Sequence, residues 1–184
     1  MDAIAAGRLD ASIAVVISNR KDAAGLDRAR SAGIEAICLP PRAWPTRDEY
    51  DRALVRELRA RAVGLVVLAG FMRLVGRPLI EAYPTAILNI HPSLLPAFPG
   101  LEAQRQAIEH GVRVSGVTVH LVTEELDGGP IVVQRAVPVL PGDTAESLAA
   151  RILEEEHRAY PEAVRRMLDG GWRVEGRRFV DATC

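Results

Sequence analysis

Residues 86–96 read AILNIHPSLLP, and the fold prediction starts from this stretch. The apolar run that opens the stretch is typical of a buried strand. We expect the strand to end at Pro92, because proline has no N–H to donate to a neighbouring strand. Side chains alternate along a strand, so Asn89 and His91 should project from the same side. The stretch therefore predicts an amide and an imidazole at the carboxyl end of a strand, where open α/β sheets bind ligands.

Segments on the N-terminal side of this stretch alternate between strand and helix patterns. Continuous apolar runs are typical of strands in a parallel sheet that is covered on both faces. Segments with apolar residues at helical spacing separate these runs. The alternation predicts an α/β, doubly wound, Rossmann-like fold with a mostly parallel sheet. The predicted strands are residues 12–17, 34–39 and 64–69, and the predicted helices are residues 23–32 and 46–62.

The C-terminal half of the chain has a different pattern. Residues 114–122 alternate between apolar and polar side chains, and a glycine-rich turn leads to a returning strand at residues 131–139. This arrangement predicts an antiparallel C-terminal portion of the sheet. A long helix over residues 144–168 and a short hairpin over residues 172–180 should follow. We interpret residues 1–184 as a single domain that is long enough to bury a substantial core.

Composition and charge argue against several classes of protein. The net charge of −1 gives no electrostatic case for nucleic acid or an anionic membrane as a partner. The longest apolar run, residues 62–72, is too short to span a bilayer. The N-terminus has no basic segment of the kind that opens a signal peptide. Cys38 and Cys184 form neither a disulfide framework nor a metal-binding spacing, so we expect a cytoplasmic protein.

Two longer strings resemble those of a known family. They are NIHPSLLPAFPG at residues 89–100 and GVTVHLVTEELDGGPIVVQ at residues 116–134. In this order and spacing they resemble the phosphoribosylglycinamide formyltransferases, which are folate-dependent enzymes of purine biosynthesis. The resemblance extends from residue 1 to about residue 178. It implies the formyltransferase fold and transfer of a formyl group from 10-formyltetrahydrofolate, the co-substrate, to the amine of glycinamide ribonucleotide without a metal.

The resemblance also implies roles for individual residues. The matching positions make Asn89, His91 and Asp127 the catalytic trio, and they make Glu156 a contact of the ribonucleotide. The loop after the third predicted strand is implied to line the folate pocket. The residues implied to contact folate are Arg47, Met72, Arg73, Leu74, Val75, Asn89, Thr123, Glu124, Glu125, Leu126 and Asp127.

The residue types of the trio suit this chemistry. A histidine exchanges protons near neutral pH, and an amide N–H can donate to a developing oxyanion. A carboxylate that the glycine-rich turn aims at His91 would stabilise the imidazolium form of its ring. Each residue also has a plain structural interpretation: Asn89 and His91 can cap a turn, Asp-Gly is a common turn pair, and Arg47 can be a solvated helix charge.

Other functions use the same residues. His91, His120 and Asp127 could be ligands of a hydrolytic metal, although they lack the short spacings that make a metal site evident. A formyltetrahydrofolate hydrolase would share the loop after His91, and a tRNA formyltransferase would carry a further basic domain. An inactive remnant is a third alternative. For the preferred function we expect small-molecule substrates only, neither nucleic acid nor membrane as a partner, and a monomer or homodimer.

The start of the chain differs from the pattern of the resembled family. That family begins with a strand and a phosphate-binding loop at a helix N-terminus, a location that suits an anion. Residues 1–7 match the end of the helix that follows this loop. We therefore expect the natural start about two dozen residues upstream and weak ribonucleotide binding by the chain as given. The Leu95–Pro96 bond is the best candidate for a cis peptide.

Overall fold

The computed structural model describes residues 1–181 and shows a mixed α/β protein, which confirms the predicted fold class. Two compact units are present. The first contains residues 1–66 and 74–84, and the second contains residues 67–73 together with the described residues from 85 onward. Cys184 lies outside the described residues, and the interpretation as a single domain stays a prediction.

The first unit contains a two-stranded parallel sheet and four α-helices. Strands β1 and β2 pair in register from Val16↔Ala36 to Ser18↔Cys38. Each strand has only three residues, of which β1 shares two and β2 shares three with the longer apolar run that predicted it. The elements of this unit are α1 (Asp2–Ala5), β1 (Val16–Ser18), α2 (Ala24–Ser31), β2 (Ala36–Cys38), a 3₁₀ turn (Pro41–Ala43), α3 (Arg47–Arg59) and α4 (Arg77–Ala82).

Helix α3 shows how local sequence sets its bounds. Thr46 is the N-cap, and its hydroxyl accepts from the Glu49 N–H at 3.2 Å while the Glu49 carboxylate accepts from the Thr46 N–H at 3.2 Å. This capping box satisfies two backbone donors that the first turn leaves free. Tyr50, Leu54 and Leu58 follow at helical spacing and are buried, so one face of the helix contributes to the core.

The second unit is built on a six-stranded sheet. Its strand order is β3-β4-β5-β6-β8-β7. Strand β4 pairs antiparallel with β5, β5 with β6, and β7 with β8, whereas β6 and β8 are parallel. The antiparallel portion therefore also includes the strand that carries Asn89 and His91. The strands are β3 (Val66–Leu68), β4 (Ile87–His91), β5 (Val114–Leu121), β6 (Ile131–Pro138), β7 (Trp172–Glu175) and β8 (Arg178–Asp181).

Two helices complete this unit, α5 (Ala103–Glu109) and α6 (Ala145–Asp169). The hydroxyl of Thr144, the N-cap of α6, accepts from the Ser147 N–H at 3.3 Å. Leu148 and Ile152 are fully buried and anchor α6 in the core with Ala159 and Ala163. Within residues 1–181, no helix is both long enough and apolar enough to cross a membrane.

Candidate active site

Strand β4 places Asn89 and His91, and strand β5 places two further polar residues opposite them. Asn89 pairs with His120, and His91 pairs with Thr118. Directly opposed residues in an antiparallel pair project from the same face, so the register brings four polar side chains together. His91, Thr118 and His120 are 5%, 0% and 2% exposed. Burial of polar groups is unfavourable unless they are hydrogen-bonded, and their partners define the site.

The turn between β5 and β6 brings Asp127 to His91. Asp127 has a left-handed backbone with φ 50°, a conformation that aspartate tolerates better than most residues. Its Oδ2 lies 3.4 Å from Nδ1 of His91 and accepts from the Gly100 N–H at 2.8 Å. The side chain of Asp127 is 8% exposed. The turn therefore aims a nearly buried carboxylate at the imidazole, which is the juxtaposition that the sequence predicted.

The hydrogen bonds of His91 indicate where its protons lie. Its Nε2 is 2.8 Å from the carbonyl oxygen of Phe98. A carbonyl can only accept, so Nε2 carries a proton. In the neutral ring, Nδ1 would then present a lone pair to the carboxylate of Asp127. A proton on Nδ1 would turn this 3.4 Å contact into an attraction between imidazolium and carboxylate.

His120, which the sequence analysis named only as a possible metal ligand, is a member of the site. Its Nδ1 is 3.0 Å from the carbonyl oxygen of Leu121, and its Nε2 is 3.2 Å from Nδ2 of Asn89. Nε2 also lies 3.6 Å from Oδ1 of Asp127. The signal that could have found this residue is the β4–β5 register, because only that register shows that position 120 faces position 89.

The electrostatics of Asp127 keep it ionised. Burial raises the pKa of its carboxyl group. Interaction with His120, the hydrogen bond from the Gly100 N–H and the charges of His91 and His120 lower the pKa, and together they outweigh burial. The net pKa lies below the ordinary value, so Asp127 is a carboxylate throughout the neutral range.

Glu156 lies on α6 and is half-buried. Burial raises the pKa of its carboxyl group, and the charge of His157 opposes this only in part. Tyr160 follows one helical turn later, and its hydroxyl contacts the carbonyl oxygens of Leu68 and, at 3.2 Å, Leu88. The Tyr160 contacts place this part of α6 beside β3 and β4.

The remaining predicted residues lie in loops or at a helix start. In the second unit, Met72 is 74% exposed and Arg73 is half-buried. The exposed residues of the turn before Asp127 are Thr123, Glu124, Glu125 and Leu126, and Glu125 forms an exposed ion pair with Arg177 at 3.0 Å. In the first unit, Arg47 and Leu74 are exposed and Val75 is half-buried. The binding roles of all these residues stay predictions.

Two further expectations concern the loop and the metal alternative. The Leu95–Pro96 peptide bond is cis, as the sequence analysis expected. Among the described residues 1–181, no group of three or more His, Cys, Asp or Glu side chains has a geometry that could hold a metal ion.

Comparisons with known proteins define the class of this chain. The family model for formyl transferases matches residues 1–164. The chain therefore belongs to the formyl transferase family, and the resemblance found in the sequence is confirmed.

Individual relatives narrow this class. The chain is 44% identical over 170 residues to the phosphoribosylglycinamide formyltransferase of Escherichia coli, with 92% of this chain and 80% of that protein covered. The crystal structure of glycinamide ribonucleotide transformylase 1 from Symbiobacterium toebii has a TM-score of 0.96 and 58% identity, and the match covers 98% of this chain and 85% of that chain. A formyltetrahydrofolate deformylase from Pseudomonas syringae has a TM-score of 0.89 and 30% identity, covering 98% of this chain and 59% of that chain.

Proposed function

We propose that this chain transfers a formyl group from 10-formyltetrahydrofolate to the amine of glycinamide ribonucleotide, a step of purine biosynthesis. The observation that carries the proposal is the cluster of Asn89 with the nearly buried side chains of His91 and Asp127. The chain that holds this cluster is 44% identical to a phosphoribosylglycinamide formyltransferase. An amide donor, an imidazole and a carboxylate can together stabilise charge and move protons during formyl transfer to an amine.

Asn89 is suited to stabilise the tetrahedral intermediate. The amine attacks the formyl carbon, a C–N bond forms, and the carbonyl oxygen becomes an oxyanion. The Asn89 amide nitrogen carries two hydrogens, and one of them points to Nε2 of His120 at 3.2 Å. The second hydrogen is left to donate to the oxyanion. A donor of this kind is worth about 3 kcal/mol of transition-state stabilisation.

His91 and Asp127 are suited to move the proton. The attacking amine must lose a proton, and the folate nitrogen that leaves must gain one. The 3.4 Å contact between Nδ1 of His91 and Asp127 is looser than the 2.8 Å contact of Nε2 with Phe98. Nδ1 is therefore the nitrogen that can release its proton with less disruption, and general acid–base catalysis of this type contributes about 10²–10⁴-fold.

The binding roles follow the same proposal. Folate is bound by Arg47, by the loop of Met72, Arg73, Leu74 and Val75, and by the turn that ends at Asp127, while Glu156 binds the ribonucleotide. The enzyme works on small molecules in the cytoplasm, as a monomer or homodimer, with no metal and with neither nucleic acid nor membrane as a partner. The match to the formyl transferase family and the similarity to a solved glycinamide ribonucleotide transformylase support the choice of small-molecule substrates.

The decisive experiment measures both products of the folate substrate. Purified protein is given 10-formyltetrahydrofolate with and without glycinamide ribonucleotide, and formylated ribonucleotide and free formate are quantified. Formylated product that depends on the ribonucleotide, and that His91→Asn abolishes, supports the proposal. Formate release at the same rate without ribonucleotide would instead support a hydrolase, the activity named for the Pseudomonas syringae neighbour.

A further inference from the structure

A second polar network lies next to the site and uses none of the proposed catalytic groups. Thr118 is fully buried in β5. Its hydroxyl donates to the carbonyl oxygen of Ser93 at 2.6 Å and accepts from the Leu95 N–H at 3.0 Å. It also accepts from Nε2 of Gln134 at 3.0 Å. A hydroxyl has one hydrogen and two lone pairs. The three hydrogen bonds of Thr118 therefore engage its whole hydrogen-bonding capacity.

Gln134 completes the network from strand β6, where it pairs with Thr118. Its Nε2 donates to the carbonyl oxygen of Leu95 at 2.8 Å as well as to Thr118. Both hydrogens of the amide nitrogen are therefore committed. Together the two side chains hold the N–H and the carbonyl of Leu95. They satisfy backbone groups that no neighbouring strand reaches, and thereby fix the position of this backbone.

Leu95 belongs to residues 92–100, which form most of the segment between β4 and α5 and which we call the 92–100 loop. The hydrogen-bond network extends from Ser93 further into this loop, because the Ser93 hydroxyl donates to the carbonyl oxygen of Ala97 at 2.5 Å. The next residue, Phe98, accepts from Nε2 of His91 at 2.8 Å, and the Gly100 N–H donates to Asp127 at 2.8 Å. One loop therefore orients both members of the proton-transfer pair.

We propose that Thr118 and Gln134 are positioning residues for His91 and Asp127. They act through the 92–100 loop: by fixing Leu95 and Ser93 they set the Phe98 carbonyl that determines the tautomer of His91 and the Gly100 N–H that determines the rotamer of Asp127. The assignment of an effect on turnover rests on the proposed function. The effect on the His91 ring does not, and it is measurable without substrate.

The test replaces the hydroxyl while keeping the shape of the side chain. Thr118→Val is isosteric and removes all three hydrogen bonds, whereas Thr118→Ser keeps the hydroxyl. Ser115→Ala is the matched control, because Ser115 is a buried residue of the same strand whose hydroxyl has no hydrogen-bond partner in the structure. Gln134→Leu is a second probe at a more exposed side chain and covers the case in which Thr118→Val fails to fold.

We expect Thr118→Val and Gln134→Leu to lower kcat by about tenfold or more, because sub-ångström misplacement of reacting groups is costly. KM should stay within about twofold, since neither residue lies among the proposed substrate contacts. Thr118→Ser and Ser115→Ala should stay within about threefold of the parent kcat. Unchanged kcat in both Thr118→Val and Gln134→Leu, or an equal loss in Thr118→Ser, would overturn the proposal.

A spectroscopic measurement separates this proposal from the proposed function. Nitrogen-15 NMR of ring-labelled histidine reports which nitrogens of His91 are protonated, with His91→Asn used to assign the signal. The parent protein should show a protonated Nε2, and Thr118→Val or Gln134→Leu should show exchange at this nitrogen. An unchanged His91 signal would refute the positioning role even if formyl transfer is confirmed. A changed signal supports the role even if the substrate proves to be different.

Discussion

Gly129→Ala tests whether the turn that carries Asp127 must pack directly on strand β5. A Cβ at Gly129 would lie 1.8 Å from the carbonyl oxygen of Leu121 and 3.2 Å from Cγ2 of Thr123. Ordinary contact begins at 3.4 Å, so the turn or the strand must move by about 1.6 Å. The obstacle is backbone and cannot rotate away. Such a shift also strains the hydrogen bond from the Leu121 N–H to the Pro130 carbonyl, now 2.9 Å.

Gly128→Ala is the matched control at the next position of the same turn. Its Cβ would lie 2.3–2.5 Å from side-chain atoms of Glu125. That side chain is exposed and can rotate, at the loss of its ion pair with Arg177. An exposed pair of this kind is worth about 0–1 kcal/mol. Both substitutions add one methyl group. At position 129 the methyl group would clash with backbone atoms of Leu121, whereas at position 128 it would clash with the side chain of Glu125.

The expected magnitudes follow from this contrast. Overpacking against backbone costs about 1–3 kcal/mol, which corresponds to a fall in melting temperature of about 2–12 °C for a chain of this size. An ångström-scale displacement of Asp127 should lower kcat about a hundredfold. Gly128→Ala should stay within about 2 °C and threefold of the parent.

The assay is steady-state formyl transfer at 25 °C, with the melting temperature and circular dichroism measured on the same preparations. Turnover is expressed per folded molecule, so that lost stability is not counted as lost catalysis. A Gly129→Ala variant with parental kcat and melting temperature would show that the turn relaxes freely. Equal damage from both substitutions would show that Leu121 is not the obstacle. Either result would refute the reasoning.

Three further outcomes follow from the charges in the site. His91→Asn should lower turnover about 10²-fold or more while calorimetry shows unchanged affinity for a folate analogue, and near-parental turnover would remove His91 from the mechanism. Asp127→Asn should cost stability at neutral pH. Because the pKa of Asp127 is lowered by folding, its contribution is present above the unfolded value of about 3.9 and is lost as pH falls through the folded value. The difference in unfolding free energy between Asp127→Asn and the parent should therefore shrink in acid, and a constant difference would contradict this. Because the pKa of Glu156 is raised by burial, the stability that it contributes is present below about pH 4.3 and is lost as pH rises through the folded pKa. Glu156→Gln should therefore melt above the parent at pH 8 but not at pH 4, with weaker ribonucleotide binding, and a lower melting temperature at pH 8 would contradict the sign.

Features set by neighbouring residues could be predicted from the sequence. The alternation along Leu88–His91 gives the shared side of Asn89 and His91 directly, because the period of a strand is a property of the strand alone. The capping box of α3 needs only Thr46 and Glu49. The glycine pair after Asp127 indicates a turn before its location is known.

Features set by pairing between distant strands could not be predicted. His120 enters the site only because β5 pairs with β4 in one register, and a shift by one residue would turn His120 to the opposite face. The contacts of Thr118 with Gln134 depend in the same way on the β5–β6 register. The short lengths of β1 and β2 could not be predicted either, since an apolar run indicates a strand but not where its hydrogen-bonded pairing begins.

The two histidines beside Asp127 differ in proton chemistry because backbone carbonyls hold opposite nitrogens of their rings. In His91 the Phe98 carbonyl holds Nε2, so Nδ1 is the nitrogen that faces the carboxylate at 3.4 Å. In His120 the Leu121 carbonyl holds Nδ1, so Nε2 is left to accept from the amide of Asn89 at 3.2 Å. Each ring therefore presents a different nitrogen to the site: Nδ1 of His91 faces the carboxylate of Asp127, and Nε2 of His120 faces the amide of Asn89. Asp127 lies slightly closer to Nδ1 of His91, at 3.4 Å, than to Nε2 of His120, at 3.6 Å, so His91 is its nearer partner and His120 is left to orient Asn89.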